Sequence, residues 1–157
     1  RVREHHPARP RPVGGDGPCA DDVRAAARRH GSWVEVWGRV DDETLLDLYR
    51  RAWVVASAST SEGWTMTLTE AGACGTPAVA TRSEGHRDAG VDGTTGILAD
   101  DEAGLTSGLI TLLDDADLRN RMGTAAASYA REHTWDEAAR AVFEVLAHDA
   151  LRRSRAT

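Results

Sequence analysis

The tightest constraint on this chain is the separation of two short apolar runs, residues 53–56 and 77–81, by a polar turn, a helical stretch over 65–74 and a break at Gly75 and Pro77. Runs of four or five apolar residues suit strands rather than buried helices. A helix-length connection between two such strands makes them run parallel. The same alternation recurs along the chain. Residues 33–37 alternate Trp, Val, Glu, Val, Trp and close at Gly38, as a strand does. Helical patterns cover 21–30 and the stretch from Asp41 or Asp42 to Arg50, whose apolar face is Leu45, Leu46, Leu48 and Tyr49. A loop over 83–93 leads to a short strand at 96–99, and helices follow over 101–113, 117–132 and 136–151.

Short strands alternating with helices define an α/β fold: a Rossmann-like parallel sheet with flanking helices and a helical C-terminal tail. Residues 13–151 form one expected domain, between an Arg-, Pro- and His-rich tail over 1–12, expected to be disordered, and a short tail over 152–157. A hydrophobic share of 41% supports an ordinary buried core. No apolar run approaches the roughly 20 residues that span a bilayer, and the first dozen residues lack the apolar centre of a signal peptide. The absence of an initiator Met suggests that the chain begins inside a larger protein.

The net charge of −6, with both signs interleaved, argues against a nucleic-acid partner, which needs a clustered basic face. All 19 basic residues are Arg, so no chemistry that needs a Lys can be completed here. Cys19 and Cys74 have no metal-ligand spacing and read as free thiols of a cytoplasmic protein. His5 and His6 also lack ligand geometry, and no metal is expected.

Chemistry concentrates between the two apolar runs. Ligands of open parallel sheets bind at the C-terminal ends of the strands, where helix N-termini present free N–H groups to anions. Glu62 lies in the turn before the helix and Glu70 about two turns into the pattern. Glu62 suits sugar hydroxyls, Glu70 suits a vicinal ribose diol, and Gly63 with the amides of Trp64, Thr65 and Met66 would face the same pocket. The same residues also suit plain structure, with Glu62 favouring the helix dipole and 67–70 an ordinary helix surface. Asp41 and Asp42 are open between a helix cap and a carboxylate that accepts from guanine. In the loop 83–88, His86 and Arg87 either reach a diphosphate or acceptor or belong to a surface loop with Asp88 capping a short helix.

Glu62-Gly-Trp-Thr-Met-Thr-Leu-Thr-Glu70, followed by Ala71, Ala73, Gly75 and Pro77, resembles the signature of family 4 retaining glycosyltransferases of the GT-B fold (glycosyl transferases group 1). That signature is Glu, seven residues, Glu, then Ala-x-Ala-x-Gly-x-Pro and a strand. Val13-Gly-Gly-Asp-Gly-Pro18, Val36-Trp-Gly-Arg-Val40, the helix 45–52 and Asp92-Gly-Thr-Thr-Gly-Ile-Leu98 are similar to further family stretches in the same order. Two positions depart from the pattern, Thr65 and Glu84, where the family usually has Gly.

The resemblance implies the C-terminal, donor-binding domain alone. Glu62 would be the catalytic-site carboxylate, and Gly63, Trp64, Thr65 and Met66 would hold the donor sugar and diphosphate. Glu70 would bind the ribose, the backbone of Arg39 and Val40 the base, and His86 and Arg87 would add loop contacts. The implied partners are a nucleotide-sugar donor, an acceptor of unspecified identity and a missing N-terminal GT-B domain, through which peripheral membrane contact would arise. No metal or cofactor is implied. With that domain and the family's Arg and Lys pair absent, the isolated chain is expected to transfer little or no sugar. The alternative is a truncated, non-catalytic nucleotide-binding module.

Overall fold

The computed structural model describes residues 2, 11–31 and 33–154. Most of the tail expected over 1–12, including His5 and His6, lies outside the described residues, as does 155–157. Ordered pairing starts earlier than expected, because strand β1, Arg11–Gly14, already contains Arg11 and Pro12.

After β1 come α1 (Ala20–His30), β2 (Val34–Gly38), α2 (Asp42–Arg51), β3 (Val55–Ser57), α3 (Met66–Ala73) and β4 (Ala78–Thr81). Then follow α4 (Glu84–Ala89), β5 (Gly96–Ala99), α5 (Glu102–Asp114), α6 (Ala116–Glu132) and α7 (Trp135–Ser154). Every strand pairing is parallel. Instead of one continuous sheet, the described strands form two, in the orders β1-β2 and β3-β4-β5.

The three-stranded sheet carries the core. Val79 points to one face, packed with Leu112 and Met122 and flanked by Ile97, Leu105 and Leu109. Ala80 points to the other, against Leu68, Ala89 and Leu98. Alternate residues of β4 thus serve opposite faces, and helices cover both. Sheet β1-β2 is thinly covered by comparison, with Ala27 its buried apolar residue among those described. Trp135, Val142, Phe143, Val145 and Leu146 of α7 are exposed.

Asp side chains start three helices by accepting a main-chain N–H: Asp41 from Thr44 at 2.8 Å, Asp101 from Gly104 at 2.7 Å and Asp115 from Leu118 at 2.8 Å. Asp41 is thus the cap of this helix, and its carboxyl sits below its ordinary range because of Thr44. The apolar face of α2 is Leu45, Leu48 and Tyr49; Leu46 turns outward, because the helical period sets it well round from Leu45 and nearly opposite Leu48. The segment expected as a loop over 83–93 contains α4, because Ser83 and the residues after it turn helical against β4 and the turn at Glu62. In the stretch 92–98, Asp92 accepts from the Leu98 N–H at 2.9 Å, and Gly93 takes a left-handed φ of +73°.

Helix α6 lies against α3 with almost nothing between the backbones. A Cβ on Gly72 would meet the Ala126 carbonyl oxygen at 3.3 Å, and one on Gly123 would collide with the carbonyl oxygen of Gly75. Gly123→Ala therefore tests this packing by its sign. An unhindered Gly→Ala change inside a helix stabilises by up to about 1 kcal/mol. Here the clash with backbone should instead cost roughly 1–3 kcal/mol in chemical denaturation.

Candidate functional site

By the β3-β4 register, Ser57 pairs with Ala80, so both strands end at the same edge. The chain leaves β3 there into the turn holding Glu62 and leaves β4 there into α4. Glu62, Gly63, Trp64, Thr65 and Met66 therefore gather at the strand-end mouth that open α/β sheets use for ligands.

The Glu62 turn is braced from behind. Ser59 Oγ donates to Glu62 Oε1 at 2.6 Å, and the Ser59 carbonyl accepts from the Thr81 hydroxyl. His86 is fully buried beneath it, with Nδ1 at 2.6 Å from the Thr81 carbonyl oxygen and Nε2 at 2.9 Å from Ser57 Oγ. Gly85 completes the fit, since a Cβ there would lie 2.5 Å from the Glu62 carbonyl oxygen. His86, expected to reach ligand, thus has both ring nitrogens engaged inside the protein, whereas Arg87 is on the exposed side of α4.

At the start of α3, Thr65 occupies the N-cap position with extended backbone but makes no side-chain cap bond. Among the described residues, the main-chain N–H groups of Gly63, Trp64, Thr65 and Met66 donate to no protein acceptor. Thr65 Oγ1 is buried without a hydrogen-bond partner, as is Ser83 Oγ at the cap of α4. Unpaired donors at a helix mouth carry the positive end of the dipole and suit an anion. The Trp64 side chain turns away from the mouth: its Nε1 donates to Thr69 Oγ1 at 3.0 Å, and its ring lies 5.2 Å from that of His133 at the end of α6.

Glu70 is half-buried on α3, and its Oε2 accepts from the Tyr49 phenol at 3.0 Å. Burial first, and the Glu70 carboxylate second, push the Tyr49 hydroxyl up to about 12. Arg39 and Val40 lie on the connection from β2 to α2, joined to neither glutamate by any hydrogen bond among the described residues. Tyr49, Ser57, Ser59 and Thr81 are the members that sequence reasoning missed. The one available signal was Tyr49 itself, a phenol on an apolar helix face whose O–H needs a partner once buried. No cluster of three or more His, Cys, Asp or Glu suited to a metal occurs among the described residues, and no described helix is long and apolar enough to cross a membrane. A separate shallow crevice, lined by Leu68, Gly72, Ala89, Thr95, Ala126 and Tyr129 among others, holds none of these mouth residues.

Residues 12–129 match the family described as glycosyl transferases group 1, and the chain belongs to that family. It is 39% identical over 116 residues to a D-inositol 3-phosphate glycosyltransferase of Xylanimonas cellulosilytica, covering 73% of this chain and 28% of that protein. With a protein of the same description from Corynebacterium diphtheriae it shares 43% identity over 99 residues, covering 62% of this chain and 23% of that one. The chain thus spans about a quarter of the length of these relatives.

Among solved structures, the pneumococcal O-GlcNAc transferase GtfA in complex with UDP and GlcNAc superposes with a TM-score of 0.77 at 21% identity, over 92% of this chain and 31% of its own. Anabaena HepE in complex with UDP-glucose gives 0.69 at 23%, over 77% and 35%. The α/β architecture of parallel sheets and flanking helices is therefore that of GT-B glycosyltransferases.

Gly85→Ala should push the Glu62 turn off α4 and lower stability by roughly 1–3 kcal/mol, as overpacking against backbone does. Unfolding in urea measures it, and a loss within about 0.5 kcal/mol, the range of ordinary surface changes, would show that the turn yields freely.

Proposed function

We propose that this chain is the donor-binding half of a retaining glycosyltransferase, which moves a sugar from a nucleotide-activated donor to an acceptor held by a separate domain. The observation that carries the reading is the row of unpaired N–H groups from Gly63 to Met66, set between the carboxylates of Glu62 and Glu70. The diphosphate would sit on those amides and the Thr65 hydroxyl, with Glu62 on the transferred sugar, Glu70 on the ribose and the Arg39–Val40 backbone beside the base. Arg87 remains available as a loop contact, whereas His86 acts from beneath by holding the strand ends together. Charge developing on the leaving diphosphate is stabilised by fixed N–H dipoles, and no metal takes part in this reading.

The family membership and the relatives' shared description support sugar transfer. The structural neighbours bound to UDP, GlcNAc or UDP-glucose support a uridine nucleotide as the first donor to test. Residues 13–151 form the binding unit in this reading, and the reaction itself takes place in the cytoplasm.

Calorimetric titration with UDP, GDP and ADP sugars tests the assignment. Glu70→Ala should weaken the preferred nucleotide by about 1.5–3 kcal/mol, the range for hydrogen bonds to charged groups. Unchanged affinity would remove Glu70 from the ribose. The 157-residue chain alone should bind nucleotide weakly and transfer little or no sugar, because the acceptor would be held by a separate domain and the Arg and Lys pair that the resemblance implies cannot be complete in a chain without Lys. Sustained transfer to any acceptor by the purified chain would overturn that part.

A further inference from the structure

We propose that Tyr49 is a positioning residue for Glu70, holding its carboxylate in one orientation so that the free oxygen is presented to a ribose diol. This inference rests on the ribose role given to Glu70 above.

Tyr49 is anchored at both ends. Its main-chain carbonyl accepts from the Thr76 hydroxyl at 2.6 Å, just past the Gly75 turn that ends α3. Its ring is nearly buried, and its hydroxyl reaches Glu70 Oε2 at 3.0 Å, across 21 residues of sequence. Tyr49 thus ties helix α2 to the middle of α3 and to the segment just after it. Glu70 Oε1 has no partner among the described residues.

A glutamate on a helix surface has three rotatable bonds, and binding through it ordinarily requires freezing them. The Tyr49 O–H freezes them on folding, so the diol meets a carboxylate already oriented, with one oxygen open and the other already accepting one bond. The arrangement also explains a tyrosine, rather than a phenylalanine, in this nearly buried place. A phenylalanine would fill the same space and leave Glu70 free to swing.

The test compares UDP and GDP, each beside its 2′,3′-dideoxy counterpart, by calorimetry on the whole chain and on Tyr49→Phe, Glu70→Asp and Glu70→Ala, with thermal melting as the fold control. Wild type should prefer the ribonucleotide. Tyr49→Phe should lose about five- to tenfold of that preference, the size of one hydrogen bond, while its affinity for the dideoxy compound stays unchanged. Glu70→Asp keeps the charge but draws it back from the phenol by one methylene, and should lose the preference similarly.

If Tyr49→Phe keeps the full preference, or weakens both compounds equally, the positioning role is wrong while the ribose role of Glu70 stands. If Glu70→Ala keeps the preference, the ribose role itself fails and this inference fails with it.

Discussion

Helix α3 can stand where it does only because its neighbours approach it backbone to backbone. On the α6 side, Gly72 meets the backbone and Cβ of Ala126, and Gly123 meets the carbonyl of Gly75. At the mouth of the sheet, Gly85 lets α4 close directly on the Glu62 turn. Three close approaches therefore set one short helix, by its body, by its end and by the turn that enters it. Side-chain packing tolerates small shifts by rotamer changes, whereas backbone contacts do not, so the position of this helix is sharply defined.

That position fixes the site. With α3 in place, its unpaired amides open at the strand ends, and its middle turn brings Glu70 under the phenol of Tyr49. His86 performs the matching task below the mouth, joining Ser57 at the end of β3 to Thr81 at the end of β4. The buried polar groups there are hydrogen-bonded to one another, which in a low-dielectric interior stiffens the turn that carries Glu62. The exceptions are the Thr65 and Ser83 hydroxyls, buried and unpaired at the two helix caps that face the strand ends. Unpaired buried hydroxyls cost stability, and their presence at the mouth fits a site completed by a ligand.

What was legible in the sequence was whatever depends on near neighbours. Strand β5 falls on the expected residues, and α1, α2 and α3 start and stop within about a residue of the helical patterns, because capping, period and Gly–Pro breaks are local signals. The split into two sheets was not legible, since it depends on which strands lie side by side. Helix α4 replaced an expected loop because contact with the Glu62 turn decides its conformation, and contact with Ser57 and Thr81 draws His86 inward. The Tyr49–Glu70 bond joins two helices 21 residues apart, a distance at which no spacing rule operates. The glutamates themselves were found by motif, but their supports belong to tertiary structure.

In the proposed reading the mouth between Glu62 and Glu70 holds the nucleotide. Hydrogen–deuterium exchange on the whole chain, with and without saturating UDP-glucose, measures this most directly. A nucleotide in this mouth should slow exchange at the amides of Gly63, Trp64, Thr65 and Met66, extending into the first turn of α3 and little further. Unchanged exchange at those amides despite measured binding, or protection centred instead on the crevice between α3, α6 and β5, would contradict it.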